Sequence, residues 1–290
     1  MLRLPVESRQ KPGGIDWSLP PLTADDCVRG PVVSLIASPT STRSCRSWTP
    51  RLDPISFQQD AMITLHRAYD MLCSDCVRLG LGANGPVWSA RRRFDGKRVA
   101  VKVTMGQARD HVRISESEIL RSVQKVDGVV RLLDTYSDHV HEVLVMEVCG
   151  GSDLQERHGA LSVVQVKCAL RRALTILVGL HCTGVVHGDV RLENFMARDQ
   201  GDQLDVTIID FGSASRDRGV SYQDFQALGR MTYELVAGVR LMTSDIREMR
   251  VREVDDELAW DLIMLLTAAH DGSYSEVVHS AKSHAWFNTP

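Results

Sequence analysis

His187-Gly188-Asp189-Val190-Arg191-Leu192-Glu193-Asn194, followed by Asp210-Phe211-Gly212, is the part of this chain whose reading decides the fold. At average residue usage an Asp-Phe-Gly triplet arises by chance only about once in several thousand positions. Upstream, Gly80-Leu81-Gly82-Ala83-Asn84-Gly85-Pro86-Val87 has the form GxGxxGxV. Glycines there let a backbone approach phosphates without Cβ clashes, although a tight hairpin with no ligand has the same pattern. A dinucleotide-binding unit would need a helix directly after the glycines. Val87 to Ala90 continues instead as a strand. Next comes Val99-Ala100-Val101-Lys102. A lysine among apolar strand residues needs an anionic partner, unless it snorkels from an edge strand. Glu116 and Glu118 lie on the helix expected around Ile114 to Val123. Residues two apart point to different faces, so one of them at most meets Lys102. Glu116, four residues before the core-facing Leu120, is the expected partner.

Taken together, these motifs resemble those of the protein kinases over roughly Asp75 to Phe287. HGDxxxxN followed by DFG is similar to the kinase pair HRDxxxxN and DFG, and Val99 to Lys102 is similar to the Val-Ala-Ile-Lys strand. The resemblance implies a two-lobed α+β fold, with a small β-rich N-lobe and a larger helical C-lobe. It implies ATP and Mg²⁺ as cofactors and a protein substrate. Asp189 would orient the substrate hydroxyl and accept its proton, and Lys102 would hold the α- and β-phosphates, paired with Glu116. Asn194 and Asp210 would hold the metal. Leu79 to Val87 would cover the nucleotide, and Met146, Glu147 and Cys149 would form the hinge that takes the adenine. Asp224 to Gly229 resembles the start of the family's αF helix. His284-Ala285-Trp286-Phe287 resembles its closing His-Pro-Trp-Phe.

Several features depart from the family. Gly188 stands where the kinases have the arginine that binds a phosphorylated activation loop. Eleven residues separate Gly212 from Asp224, with no Ala-Pro-Glu motif among them. The arginine expected before the last helix is also missing from Asp271-Gly272-Ser273-Tyr274. Losing both halves of an ion pair is self-consistent, and it implies a reduced C-lobe of the kind also found in kinases of large DNA viruses. A cleft assembled without phosphorylation of Ser213, Ser215 or Ser221 is therefore expected. Leu192-Glu193-Asn194 favours serine/threonine specificity, although Arg191 is shared with some tyrosine kinases. Two other readings stay open: an ATP-binding pseudokinase, and a small-molecule phosphotransferase of the aminoglycoside or choline type.

The rest of the chain sets the frame. Of the 290 residues, 43% are apolar and 24% charged, an ordinary globular composition. The net charge of −3 gives no global basic field, so no nucleic-acid partner is expected. Arg91-Arg92-Arg93 and Arg171-Arg172 read as solvated faces. The most apolar run, Ala173 to Val186, is shorter than a membrane span and reads as a buried helix entering a strand, so no membrane partner is expected. No signal peptide is evident, and an intracellular location, cytoplasmic or nuclear, follows. The seven cysteines lack zinc spacing and are expected as reduced thiols. Residues 1–52 are rich in Pro, Ser, Thr and Gly and read as a disordered tail. A helix is expected over 53–73, with Phe57, Ala61, Leu65, Ala68 and Leu72 on one face. The kinase domain then takes 74–288, its N-lobe 74–147 and its C-lobe 151–288. Within the C-lobe, helices are expected from the Ser162/Gln165 capping box to Gly184, and over Asp224 to Ala237, Asp255 to Thr267 and Ser275 to Lys282.

Overall fold

The computed structural model describes residues 61–72, 76–82, 85–105, 114–138, 141–201, 203–216, 222–239, 254–268 and 274–289. The proposed tail and the first part of the expected 53–73 helix lie outside these residues. Helix α1 spans Ala61–Ala68 and ends earlier than its periodicity suggests. The chain turns into a short strand, β1 (Tyr69–Asp70), and Leu72 is exposed. Tyr69 causes the switch: it is fully buried, and its hydroxyl donates to Asp134.

The N-lobe is a six-stranded antiparallel sheet formed by β1, β2 (Arg78–Gly82), β3 (Gly85–Arg92), β4 (Arg98–Met105), β5 (Leu132–Ser137) and β6 (His141–Glu147). β3 pairs with β4, β4 with β6, and β6 with β5. The expected strand at Val129 to Leu133 begins later. Val129 instead makes an isolated bridge to Ile208, tying the lobes together. Side-chain alternation along β4 gives each face its own core. Val99, Val101 and Val103 pack against Ala61, Met62 and Leu65 of α1. Ala100 joins the larger core with Ile119 and Leu120 of helix α2 (Glu116–Ser122). The sheet is thus covered on both sides, and Lys102 emerges on the α2 side.

The C-lobe is built on α3 (Val163–Cys182), α4 (Gln223–Ala237), α5 (Glu257–Thr267) and α6 (Tyr274–Lys282). Ser162 and Gln165 cap α3 reciprocally, as their spacing indicates. The apolar run expected to be a buried helix entering a strand is the second half of α3 followed by β8 (Val185–Val186). A β-sheet of β7 (Ser152–Asp153), β9 (Phe195–Gln200) and β10 (Gln203–Ile208) carries the chain under the cleft. β11 (Ser215–Arg216) then pairs antiparallel with β8.

The expectation of reduced thiols fails at one of the described cysteines. Cys76 is disulfide-bonded, while Cys149, Cys168 and Cys182 are free, and Cys182 is exposed. A disulfide needs only one sulfur within reach in the folded chain, which metal-ligand spacing and residue counts do not address.

Candidate active site

Lys102 sits in the middle of β4, between β3 and β6, with 1% of its surface exposed. Its Nζ donates to both carboxylate oxygens of Glu116 at 2.8 and 2.9 Å, and to Asp210 Oδ1 at 2.7 Å. Burial works against the ammonium, but two carboxylates outweigh it and raise its pKa above the ordinary lysine value. The carboxyl of Glu116 is also raised, by burial first, since it shares one ammonium with Asp210. Glu118 does different work. It is the third residue of α2 and closes a capping box with Ser115, whose Oγ accepts the Glu118 N–H while the Ser115 N–H donates to Glu118 Oε2. The Ser115-x-x-Glu118 spacing was a readable signal of which glutamate faces Lys102.

The loop from His187 to Asn194 brings the second group of side chains to the same cleft. Asn194 Nδ2 donates to the Asp189 backbone oxygen at 2.7 Å and to its Oδ2 at 2.9 Å. The Asn194 amide oxygen is not used in these bonds, and with the Asp210 carboxylate it would offer hard oxygen ligands of the kind that suit Mg²⁺. Asp210 has φ 58°, a left-handed conformation rare for a residue with a Cβ, and such strain gathers at functional sites. Phe211 is buried, edge-on to His187 at 5.0 Å between ring centres. The neighbouring Arg191 is held by Glu193, with bonds of 2.9 and 2.6 Å.

His187 and Asp224 hold this loop in shape. Burial lowers the pKa of His187, which is therefore neutral: Nε2 donates to the Ile209 carbonyl and Nδ1 accepts the Asp189 N–H. Asp224, near the start of α4, accepts the backbone N–H groups of His187 at 2.8 Å and Gly188 at 2.9 Å. Its carboxylate also meets His181 Nε2 at 2.8 Å, and His181 Nδ1 meets the Tyr274 hydroxyl at 2.9 Å. Burial pushes the Asp224 carboxyl up, but these three donors prevail and hold it below the usual carboxylate range. The sequence pointed to Asp224 only as a helix start. His181 and Tyr274 gave no signal, because their role depends on α3, α4 and α6 meeting.

Gly188 has a structural reason of its own. Its φ is +76°, and a Cβ there would lie 2.7 Å from the Ser213 carbonyl oxygen. Gly85, in the glycine-rich hairpin, is equally constrained: a Cβ would lie 2.6 Å from the Val103 carbonyl. Leu79 is partly exposed, Gly80 faces open space, and Pro86 and Val87 follow on β3. Ala83 and Asn84 lie outside the described residues. Met146 is buried at the end of β6 beside Ala100, Glu147 is exposed, and burial pushes the half-buried Cys149 thiol up to about 11.

A curled antiparallel sheet and a helical lobe, with a strand lysine ion-paired to Glu116 and Asp210 and a hydrogen-bonded Asp189–Asn194 pair on the preceding loop, define the fold of a protein kinase domain. The chain belongs to the protein kinase family: the family model described as the protein kinase domain matches residues 74–228, more than half of the chain. It is 27% identical over 157 residues to calcium-dependent protein kinase 5 of Plasmodium berghei (strain Anka), covering 52% of this chain and 27% of that one. It is 30% identical over 176 residues to calcium-dependent protein kinase 12 of Oryza sativa subsp. japonica, covering 57% and 32%. It is also 30% identical over 144 residues to serine/threonine-protein kinase ATG1c of Arabidopsis thaliana, covering 47% and 20%. The chain thus spans only a fifth to a third of the length of these relatives.

Proposed function

We propose that this chain is an ATP-dependent protein kinase that phosphorylates serine or threonine. The observation that carries the reading is the position of Lys102, bonded to Glu116 and Asp210 at once, together with the hydrogen-bonded pair Asp189 and Asn194 on the loop ahead of Asp210. Phosphoryl transfer asks a protein mainly for positioning and charge neutralisation, and these side chains supply both. Lys102, kept charged by its carboxylates, binds the α- and β-phosphates. Leu79, Gly80, Leu81, Gly82, Ala83, Asn84, Gly85, Pro86 and Val87 cover the nucleotide, and Met146, Glu147 and Cys149 take its adenine edge. Asn194 and Asp210 hold Mg²⁺, which when bound offsets the phosphate charge. Asp189 orients the substrate hydroxyl and accepts its proton, with its carboxylate steered by Asn194.

The cleft is read as constitutively assembled. The Lys102–Glu116 pair exists in the unmodified chain, and the segment after Phe211 is pinned by β11 on β8 and by the approach of Ser213 to Gly188.

Labelled ATP, Mg²⁺ and a mixed protein substrate test the reading. Label should appear on phosphoserine or phosphothreonine, and Asp189→Asn should abolish it while leaving ATP binding nearly intact. Equal absence of transfer in wild type and variant would establish a pseudokinase. Label confined to aminoglycoside or choline acceptors would establish a small-molecule phosphotransferase.

A further inference from the structure

The hairpin between β3 and β4 takes no part in the cleft. Its residues from Arg91 to Arg98 read Arg-Arg-Arg-Phe-Asp-Gly-Lys-Arg, five cations against one carboxylate on a chain of net charge −3. Phe94, at the apex, is 93% exposed, the most exposed large apolar side chain among the described residues. An exposed phenylalanine alone is ordinary, and a run of arginines alone reads as a solvated face. Their coincidence at one apex is a different matter.

The strand register sets Arg91 directly across from Arg98, and like charges so placed destabilise an antiparallel pair. Nearby acids offset only part of this charge. Arg92 is bonded to Asp95, Arg93 lies 3.8 Å from Asp70, and Arg91 is the cross-strand neighbour of Asp70. The last turn of α1 adds His66 and Arg67 at the same end of the sheet. The apex is also held rigidly. The Arg93 backbone N–H donates to the Ala68 carbonyl, its Nε to the His66 carbonyl, and Arg91 Nη1 to the Gly96 carbonyl.

We propose that this hairpin docks the protein onto an anionic lipid surface. A hairpin apex is convex, whereas a protein that tracks a nucleic-acid backbone does so along a groove. A flat bilayer meets a convex apex well. Phe94 enters the boundary between headgroups and acyl chains. The flanking cations sit one to four residues behind it, at about 3.3 Å per residue, level with the lipid phosphates. Each cation held near such a surface strengthens binding by about fivefold. The fully exposed Phe94 gains apolar surroundings in this position, and the run of five cations gains a surface of opposite charge.

Co-sedimentation of the full chain with vesicles of phosphatidylcholine, with or without phosphatidylserine, tests the proposal. Binding is expected only with phosphatidylserine and should weaken as salt is raised. Lys97→Gln with Arg98→Gln should weaken it roughly 25-fold, and Phe94→Ser by about tenfold, each with an unchanged thermal melt. In a Phe94→Trp variant the emission contributed by the new indole should shift to shorter wavelength on phosphatidylserine vesicles. Equal binding to both vesicle types, or none, overturns the proposal. So does phosphatidylserine binding that ignores Phe94→Ser, which would mark simple polyanion adsorption. Phe94-dependent binding to single-stranded RNA that phosphatidylserine vesicles fail to compete would make the surface a nucleic-acid site instead.

Discussion

Replacing Gly188 by alanine separates two explanations of why the kinase arginine is missing here. If the glycine reflects only a lost phosphate receptor, a methyl group is harmless. The structure gives it two costs. A residue with a Cβ at φ +76° pays about 1–2 kcal/mol. The same Cβ would lie 2.7 Å from the Ser213 carbonyl oxygen, a backbone atom on a segment pinned by β11, and forced overpacking of this sort adds about 1–2 kcal/mol. The sum, about 2–4 kcal/mol, corresponds to a fall in Tm of about 4–16 °C for a domain of this size. Gly201 supplies the control: its φ is +64°, yet nothing lies within 4 Å of its missing Cβ. Gly201→Ala should therefore show the backbone cost alone, about 2–8 °C and about half the Gly188→Ala fall. Gly188→Arg carries the same Cβ and should destabilise at least as much as alanine. Thermal melts of the three variants decide the matter. A Gly188→Ala melt equal to that of Gly201→Ala would refute the close approach, and with it the pinning of the short segment to the catalytic loop.

Other outcomes follow from the same geometry. Asp210→Ala should remove the Mg²⁺-dependent part of thermal stabilisation by ATP, because a carboxylate ligand is lost; an unchanged Mg²⁺ effect would sink its assignment. Acid should destabilise the fold. His187 has a lowered folded pKa, so its contribution is complete above about pH 6.5 and declines below that, by up to about 1.4 kcal/mol per pH unit, until its folded value is reached. The depressed Asp224 acts with the same sign at lower pH, where its contribution is lost as pH falls through the folded pKa. A Tm that stays level from pH 7 to 5.5 would contradict the first part, and His187→Gln should lack that slope. Enzyme made in bacteria and treated with phosphatase should keep its rate. Ser213→Ala with Ser215→Ala should change that rate less than about twofold, under ~0.5 kcal/mol. A large loss restored by an upstream kinase would show that the short segment is a switch after all.

Much of this was legible from residue order. Helices α3 to α6, the capping box at Ser162 and the strand nature of Val99 to Val103 are local patterns of period and cap, and they appear where the pattern puts them. So does the choice of Glu116, since a helix begun at Ser115 turns Glu118 back onto its own cap. The end of α1 was not legible, because the pull of Tyr69 into the sheet overrides a helical period that runs on to Leu72. Nor was the strand displaced from Val129 to Leu132, where pairing with β6 decides the start.

By itself, then, the sequence determined the kinase fold and the candidate groups of the cleft, because glycine, lysine, aspartate and asparagine at those spacings make up the motifs of that family. Tertiary structure decided what holds them. Asp224 gathers the N–H groups of His187 and Gly188, His181 and Tyr274 brace it from α3 and α6, and the Ser213 backbone closes on Gly188. These contacts join residues as far as 93 positions apart, and neither period nor motif encodes which buried donor will meet which acceptor once the helices pack.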